Sequence, residues 1–219
     1  MNTKFSLKPL IVPAALISYG IATRIAKPLR GWDHNVANRV TKHYKYWTHA
    51  DDYIQYAPYV AVYGLDLAGI KAKHNFVDRT FIVATSGLIA GIVTETSKRT
   101  TLIKRPNGVG FNSFPSGHTA NAFVGAHILY KEYKDVSPWI GFAGYGVALT
   151  TGSMRILNNK HWFSDVVTGA GVGILSVELS YLLLPAWHEL SGTEKENSNF
   201  AIVPIVNKKQ TMLGLVYRF

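Results

Sequence analysis

Two polar stretches interrupt the apolar second half of the chain. The first is KRTTLIKRPNGVGFNSFPSGH, residues 98–118, and the second is RILNNKHWFSD, residues 155–165. Apolar segments with the length of helices flank both stretches. Alternating helices in an up-and-down bundle bring such ends to one face. The sequence therefore predicts that the two stretches meet at one rim of a helical bundle.

Apolar segments of this kind recur along the 219 residues. Six of them predict helices, over residues 7–26, 53–70, 79–98, 116–133, 137–155 and 161–188. No domain boundary precedes about residue 191, so we expect an all-α domain over residues 1–190, folded as a six-helix transmembrane bundle. The tail, residues 191–219, has β-rich stretches at 200–206 and 211–219 that predict a short hairpin.

The transmembrane assignment depends on the length of these segments. A span needs about 20 mainly apolar residues, and the run from 136 to 154 has 19 uncharged residues. The other segments are shorter or carry a charge, such as Asp66 or Glu178, which is costly in lipid unless it faces protein. The alternative is that residues 1–22 are a cleaved signal peptide. Both interpretations bring the chain to a bacterial-type inner membrane.

The composition is basic and contains no cysteine. Twenty-three Lys and Arg against 13 Asp and Glu give a net charge of +10, which favours anionic partners. Because the basic residues are scattered, we expect phosphorylated substrates and membrane lipids as partners, and no nucleic acid. The absence of cysteine excludes disulfides and thiolate metal sites, and we expect neither a metal nor another cofactor.

The second polar stretch carries a histidine and a carboxylate, His161 and Asp165. At a spacing of four residues on a helix their side chains share a face. The carboxylate could then accept a hydrogen bond from one imidazole nitrogen and leave the other as a nucleophile. Alternatively, the carboxylate could simply favour the helix dipole.

The first polar stretch ends in Pro115-Ser116-Gly117-His118, which reads as the start of a helix. Free N–H groups there, with a glycine that allows close approach, suit a phosphate. An ordinary N-cap is the simpler interpretation, but it does not explain His118, which is placed to protonate a leaving oxygen. Three cations nearby are able to hold phosphoryl oxygens: Lys98, Arg105 and Arg155.

These residues resemble the three-part signature of the type 2 phosphatidic acid phosphatase superfamily, which includes bacterial acid phosphatases and vanadium haloperoxidases. The matching blocks are Lys98-x6-Arg105-Pro106, Pro115-Ser116-Gly117-His118 and Arg155-x5-His161-x3-Asp165. They occur in order and with the correct internal spacing. One position departs from the pattern, because Met154 stands where the family usually has serine.

The resemblance implies a metal-independent phosphatase. His161 would attack phosphorus in line, with Asp165 orienting it, and water would then hydrolyse the phosphohistidine. His118 would be the general acid. The phosphoryl oxygens would be held by three cationic side chains and the backbone of two residues: Lys98, Arg105, Arg155, Ser116 and Gly117.

The expected substrate is a lipid phosphate or a polyprenyl diphosphate. Lipid A, phosphatidylglycerol phosphate, undecaprenyl diphosphate and phosphatidic acid all suit the motifs. With an uncleaved first helix and a cytoplasmic N-terminus, the active rim faces the periplasm. The alternatives are a soluble periplasmic acid phosphatase with a cleaved signal, a vanadate haloperoxidase and a non-enzymatic binding protein.

Overall fold

The computed structural model describes residues 7–44, 48–192, 200–207 and 210–217. Within these ranges the chain forms eight helices and two strands. In chain order they are α1 (Lys8–Ile25), α2 (Lys27–His43), α3 (Ala50–Ile54), α4 (Ala57–Leu67), α5 (Phe76–Thr101), α6 (Gly117–Tyr133), α7 (Pro138–Leu157), α8 (Phe163–Ser191), β1 (Phe200–Asn207) and β2 (Gln210–Tyr217). The helical class predicted from the sequence is confirmed, whereas the predicted number of six helices is wrong.

Two additional helices explain the difference. The sequence of α2, KPLRGWDHNVANRVTKH, is polar over most of its length, so a search for apolar segments does not find it. The predicted segment 53–70 is divided between α3 and α4, with a turn at Gln55 and Tyr56. Pro58 lies in the first turn of α4, where proline suits a helix start and opposes continuation from a preceding helix.

The most deeply buried helix of residues 1–182 is α6, with 12 of its 17 residues buried. α8 packs closely against it through two glycines. A Cβ atom added at Gly169 would lie 2.5 Å from the carbonyl oxygen of Ser116, and one at Gly173 would lie 2.4 Å from that of Ala120. Only glycine permits this approach. The packing therefore sets the start of α6 beside the start of α8, where the two polar stretches end.

By length and composition alone, α5 and α8 could each cross a membrane. The pair α1 and α2, bent by 96°, would add a third crossing if it forms one span. The described residues thus contain two or three candidate spans rather than the six predicted. The segment 137–155 is not one of them, because the four glycines of α7 and its polar residues near Thr150 lower its hydropathy.

Residues 183–219 form a second compact unit. Its strands β1 and β2 are antiparallel, with Phe200 opposite Tyr217 and Asn207 opposite Gln210. The intervening residues 208–209 of the predicted hairpin, and the last two residues of its second strand, 218–219, lie outside the described part of the chain.

Candidate active site

His161 lies in the connection between α7 and α8, where it is only 3% exposed. Its Nδ1 is 2.7 Å from the backbone carbonyl oxygen of Ser113. Because a carbonyl only accepts, Nδ1 carries the proton and Nε2 keeps its lone pair. Burial lowers the pKa of His161, against the opposing effect of the Asp165 carboxylate. Burial therefore favours the neutral imidazole, in which Nε2 has a free lone pair.

Asp165 lies beside His161 but does not bind its ring directly. Its Oδ2 is 3.6 Å from Nδ1, beyond hydrogen-bonding distance, and instead accepts from the Ser113 hydroxyl and from the Trp162 N–H. The direct hydrogen bond expected from the spacing is therefore wrong. The reason is that His161 precedes α8, which begins at Phe163. Ser113 links the two residues, because its hydroxyl donates to Asp165 and its backbone carbonyl accepts from the His161 ring.

A further cation, from α1, lies on the other side of Asp165. Nη2 of Arg24 donates to Asp165 Oδ1 at 2.7 Å and to the Ser164 hydroxyl at 2.6 Å. No sequence pattern assigns Arg24 to the site, because 141 residues separate it from Asp165. The end of α1 thus belongs to the scaffold that holds this carboxylate.

The start of α6 offers backbone donors, although Ser116 is not among them. The hydroxyl of Ser116 caps the helix by accepting from the Thr119 N–H, and its own N–H donates to the Asp165 carbonyl oxygen. The expectation that its backbone holds a phosphoryl oxygen is therefore wrong, because that donor is already used. The N–H groups of Gly117 and His118 are the first two of the helix and have no partner within it.

Lys98 reaches the same point from the end of α5. A Cβ atom added at Gly117 would lie 3.3 Å from its Nζ, so the glycine leaves room for the ammonium group beside the first turn of α6. Nζ also lies 3.0 Å from the Glu95 carboxylate, one turn earlier on α5. A positive charge and two unused N–H groups therefore meet at one place.

Two arginines complete the cationic side of the site. Nη1 of Arg155 donates to buried Asp51 at 2.6 Å, whereas Arg105 has no ion pair within the described ranges. Burial, followed by the nearby charge of Arg155, lowers the pKa of Arg105. The Nε atoms of both arginines are buried without a hydrogen-bond partner in the described part of the chain. Such donors are costly unless an anion accepts from them.

His118 is paired with a carboxylate that the sequence did not assign to the site. Its Nε2 lies 2.8 Å from Oδ1 of Asp52, which belongs to the short helix α3. The pattern of residues 48–52 suits a helix start with acidic first-turn charge as well as part of a substrate rim. No spacing links two residues that are 66 positions apart, so only the fold shows this pair.

All eight predicted residues lie at one rim, although Asp165 and Ser116 make contacts other than those expected. Among the described residues, no group of three or more His, Cys, Asp or Glu side chains is placed to hold a metal ion. An anion at this rim would instead meet the charges of Lys98, Arg105 and Arg155. The arrangement suits in-line displacement at phosphorus by His161.

Comparison with known proteins identifies the family. A family model described as the PAP2 superfamily matches residues 40–189, a range that includes all three motifs. The chain belongs to the PAP2 superfamily. It is 35% identical over 173 residues to Lipid A 1-phosphatase of Porphyromonas gingivalis, an alignment that covers 78% of this chain and 36% of that protein. The PAP2 superfamily member described here thus spans about a third of the length of this curated relative.

Comparison with solved structures gives two matches. A transmembrane PAP2 type phosphatidylglycerolphosphate phosphatase from Bacillus subtilis has a TM-score of 0.58 at 18% identity, covering 87% of this chain and 99% of that one. LpxE from Aquifex aeolicus has a TM-score of 0.48 at 18% identity, covering 83% of this chain and 99% of that one. At this identity the first structure supports the fold alone.

Proposed function

We propose that this PAP2 superfamily member hydrolyses phosphate monoesters or diphosphates of membrane lipids through a phosphohistidine on His161, without a metal ion. The observation that carries the proposal is the state of His161. Its Nδ1 proton is bound to the Ser113 carbonyl, so Nε2 is the free nucleophile. The charges of Arg105 and Arg155 act on its ring, and the Nε donors of both lack an acceptor among the described residues.

In the first half-reaction, Nε2 of His161 forms a bond to phosphorus as the bond to the leaving oxygen breaks. Lys98, Arg105 and Arg155, with the N–H of Gly117, hold the other three oxygens. Fixed donors aimed at developing charge contribute roughly 10²–10³-fold each in rate, which replaces the electrostatic contribution that Mg²⁺ makes in other phosphotransferases.

In the same step the leaving oxygen takes a proton from His118. Water then attacks phosphorus, His118 accepts the proton of that water, and the P–N bond breaks to release inorganic phosphate. His161 regains its neutral state and His118 its proton, so the cycle is balanced. The Ser113 carbonyl and Asp165 stabilise the positive charge that His161 carries between the two steps.

A lipid substrate is supported by the scaffold and by the relative. Lys98 and Asp165 lie near ends of α5 and α8, the two helices long and apolar enough to cross a membrane. The phosphate of a lipid at that level would reach the site while the apolar chains of the lipid stay in the bilayer. The similar protein of P. gingivalis is named a lipid A 1-phosphatase. The orientation follows the six-segment topology predicted from the sequence, in which two segments precede α5: with a cytoplasmic N-terminus, that topology directs the rim to the periplasm of a bacterial-type inner membrane.

The packing of α1 argues against the alternative of a soluble enzyme with a cleaved signal. A Cβ atom added at Gly20 would lie 1.6 Å from Oγ1 of Thr168, so α1 is in direct contact with α8. Arg24, at the end of the same helix, binds Asp165. Cleavage after Ala22 would remove the α1 packing and leave the carboxylate with a displaced partner.

Phosphate release from purified lipids tests the proposal. The detergent-solubilised protein, with EDTA present, is assayed on lipid A, phosphatidylglycerol phosphate, undecaprenyl diphosphate and phosphatidic acid. We expect release from at least one, and a loss of several orders of magnitude in His161→Ala. The matched control is His43→Ala, at an exposed histidine of α2. No release by the folded protein, or release that requires added Mg²⁺, would contradict the proposal.

A further inference from the structure

The short helix α3 presents two adjacent carboxylates to the active site. Asp51 is fully buried and binds Arg155 and the side-chain amide of Asn158. Asp52 is turned to α6, where its Oδ1 is 2.8 Å from His118 Nε2, while its Oδ2 is 3.2 Å from His49 Nδ1. Each of the two carboxylates therefore has its own partners: Asp51 binds the anion-site arginine, and Asp52 binds the predicted general acid.

A role in the helix itself does not account for these carboxylates. Acidic residues in a first turn often cap a helix or favour its dipole, but α3 has five residues and no side-chain capping hydrogen bond. Asp51 holds Arg155 in place and so serves the anion site. Asp52 is 37% exposed. Its Oδ1 lies 3.5 Å from Nη1 of Arg155, a longer contact than the 2.6 Å of Asp51, so its shorter contact with His118 is the feature to explain.

The charge on His118 depends on what surrounds its ring. Burial and the charge of Arg155 lower the pKa of His118, whereas the hydrogen bond and charge of Asp52, with a smaller effect of Asp51, raise it. Lys98 is a further cation at the same turn, beside Gly117. A general acid must hold its proton until the leaving oxygen takes it, so the cations oppose this task and Asp52 favours it.

We infer that Asp52 is the positioning residue of the general acid: it binds Nε2 of His118 and leaves Nδ1 directed at the leaving oxygen. This inference rests on the phosphatase function proposed above. As the P–O bond breaks, the lipid alkoxide takes the Nδ1 proton and His118 becomes neutral. As the P–N bond breaks, the attacking water returns a proton to Nδ1. Asp52 stays ionised throughout and holds the same ring orientation for both steps.

Leaving-group dependence separates this role from a structural one. Asp52→Asn keeps the size of the side chain and removes its charge. On a lipid alkyl phosphate, whose alkoxide is a poor leaving group, we expect kcat/KM to fall about 10–100-fold, part of the 10²–10⁴-fold contributed by general acids. On p-nitrophenyl phosphate, whose phenolate leaves without a proton, we expect kcat/KM to change little, because it reports the first half-reaction and not the hydrolysis step that both substrates share.

Three comparisons complete the experiment. In Asp52→Asn the alkaline limb of the pH profile should move to lower pH, because removing the carboxylate lowers the pKa of His118. Asp52→Glu should recover part of the loss on the alkyl phosphate. Asp135→Asn, at an exposed aspartate beyond the far end of α6, should leave both substrates unaffected.

An equal loss on both substrates, or no loss on either, would overturn the inference. So would a His118 titration, followed by NMR, that is the same in the wild type and in Asp52→Asn. That titration does not depend on turnover. A wild-type protein that releases no phosphate from any substrate would defeat the proposed function, while the titration would still report whether Asp52 controls the charge of His118.

Discussion

Two of the polar clusters in the described part of residues 1–182 differ in how their charges are paired. In the core cluster, the Glu178 carboxylate of α8 accepts hydrogen bonds from His127 and Lys131 of α6, each at 2.7 Å. In the rim cluster of the active site, Arg105 has no ion pair within the described ranges, and Nε of Arg155 lacks an acceptor there. In the core cluster the carboxylate is matched by its donors, whereas the rim cluster has more cationic donors than acceptors.

This difference separates charges that support the fold from charges that await a ligand. Both nitrogens of His127 are bound, one to Glu178 and one to the hydroxyl of Tyr145, and the residue is only 8% exposed. A buried charge with a full set of partners leaves nothing to offer a substrate, whereas cationic donors left without acceptors beside a candidate nucleophile mark a candidate site.

Replacing Arg105 should give the largest difference between the effect on activity and the effect on stability. Arg105→Met should lower kcat/KM roughly 10²–10³-fold, as the loss of one donor to a developing oxyanion does. Stability should stay the same or rise, because a half-buried cation without an ion pair is removed. Steady-state kinetics and thermal unfolding in detergent measure the two effects. Arg99→Met, at an exposed arginine of α5, is the matched control, and near-normal activity in Arg105→Met would remove it from the site.

The core cluster should show the opposite pattern. Glu178→Gln leaves His127 and Lys131 without their carboxylate, and breaking a buried pair in this way costs about 3 kcal/mol of unfolding free energy. Activity per folded molecule should change only a few-fold, since the cluster does not contact the rim residues named above. A variant that keeps its stability but loses turnover would show that the two clusters are coupled, contrary to this account.

The sequence predicts the active-site residues better than it predicts their partners. Motif residues such as Lys98, Arg105 and His161 have fixed spacings, so their types and order identify the chemistry. Ser113, Asp52 and Arg24 come from separate parts of the chain and meet the motif residues only through packing. No local pattern distinguishes Asp52 from an ordinary first-turn aspartate.

The fold shows the same division. Long apolar segments predict α5 and α8 well, because burial or lipid contact needs continuous hydrophobicity. The polar α2 lacks that signal. The spacing of His161 and Asp165 also misleads, since it matches a helical turn although α8 begins only at Phe163. Where a helix starts decides which side chains meet, and that depends on contacts such as Gly169 against Ser116.

Trapping the phosphoenzyme tests the central claim most directly. The protein is mixed with a ³²P-labelled lipid phosphate, quenched in alkali within one turnover and digested for peptide mapping. We predict an alkali-stable, acid-labile label on the peptide that contains His161, absent from His161→Asn and present in His127→Asn. A label on any other residue, or turnover in His161→Asn at the wild-type rate, would contradict the account.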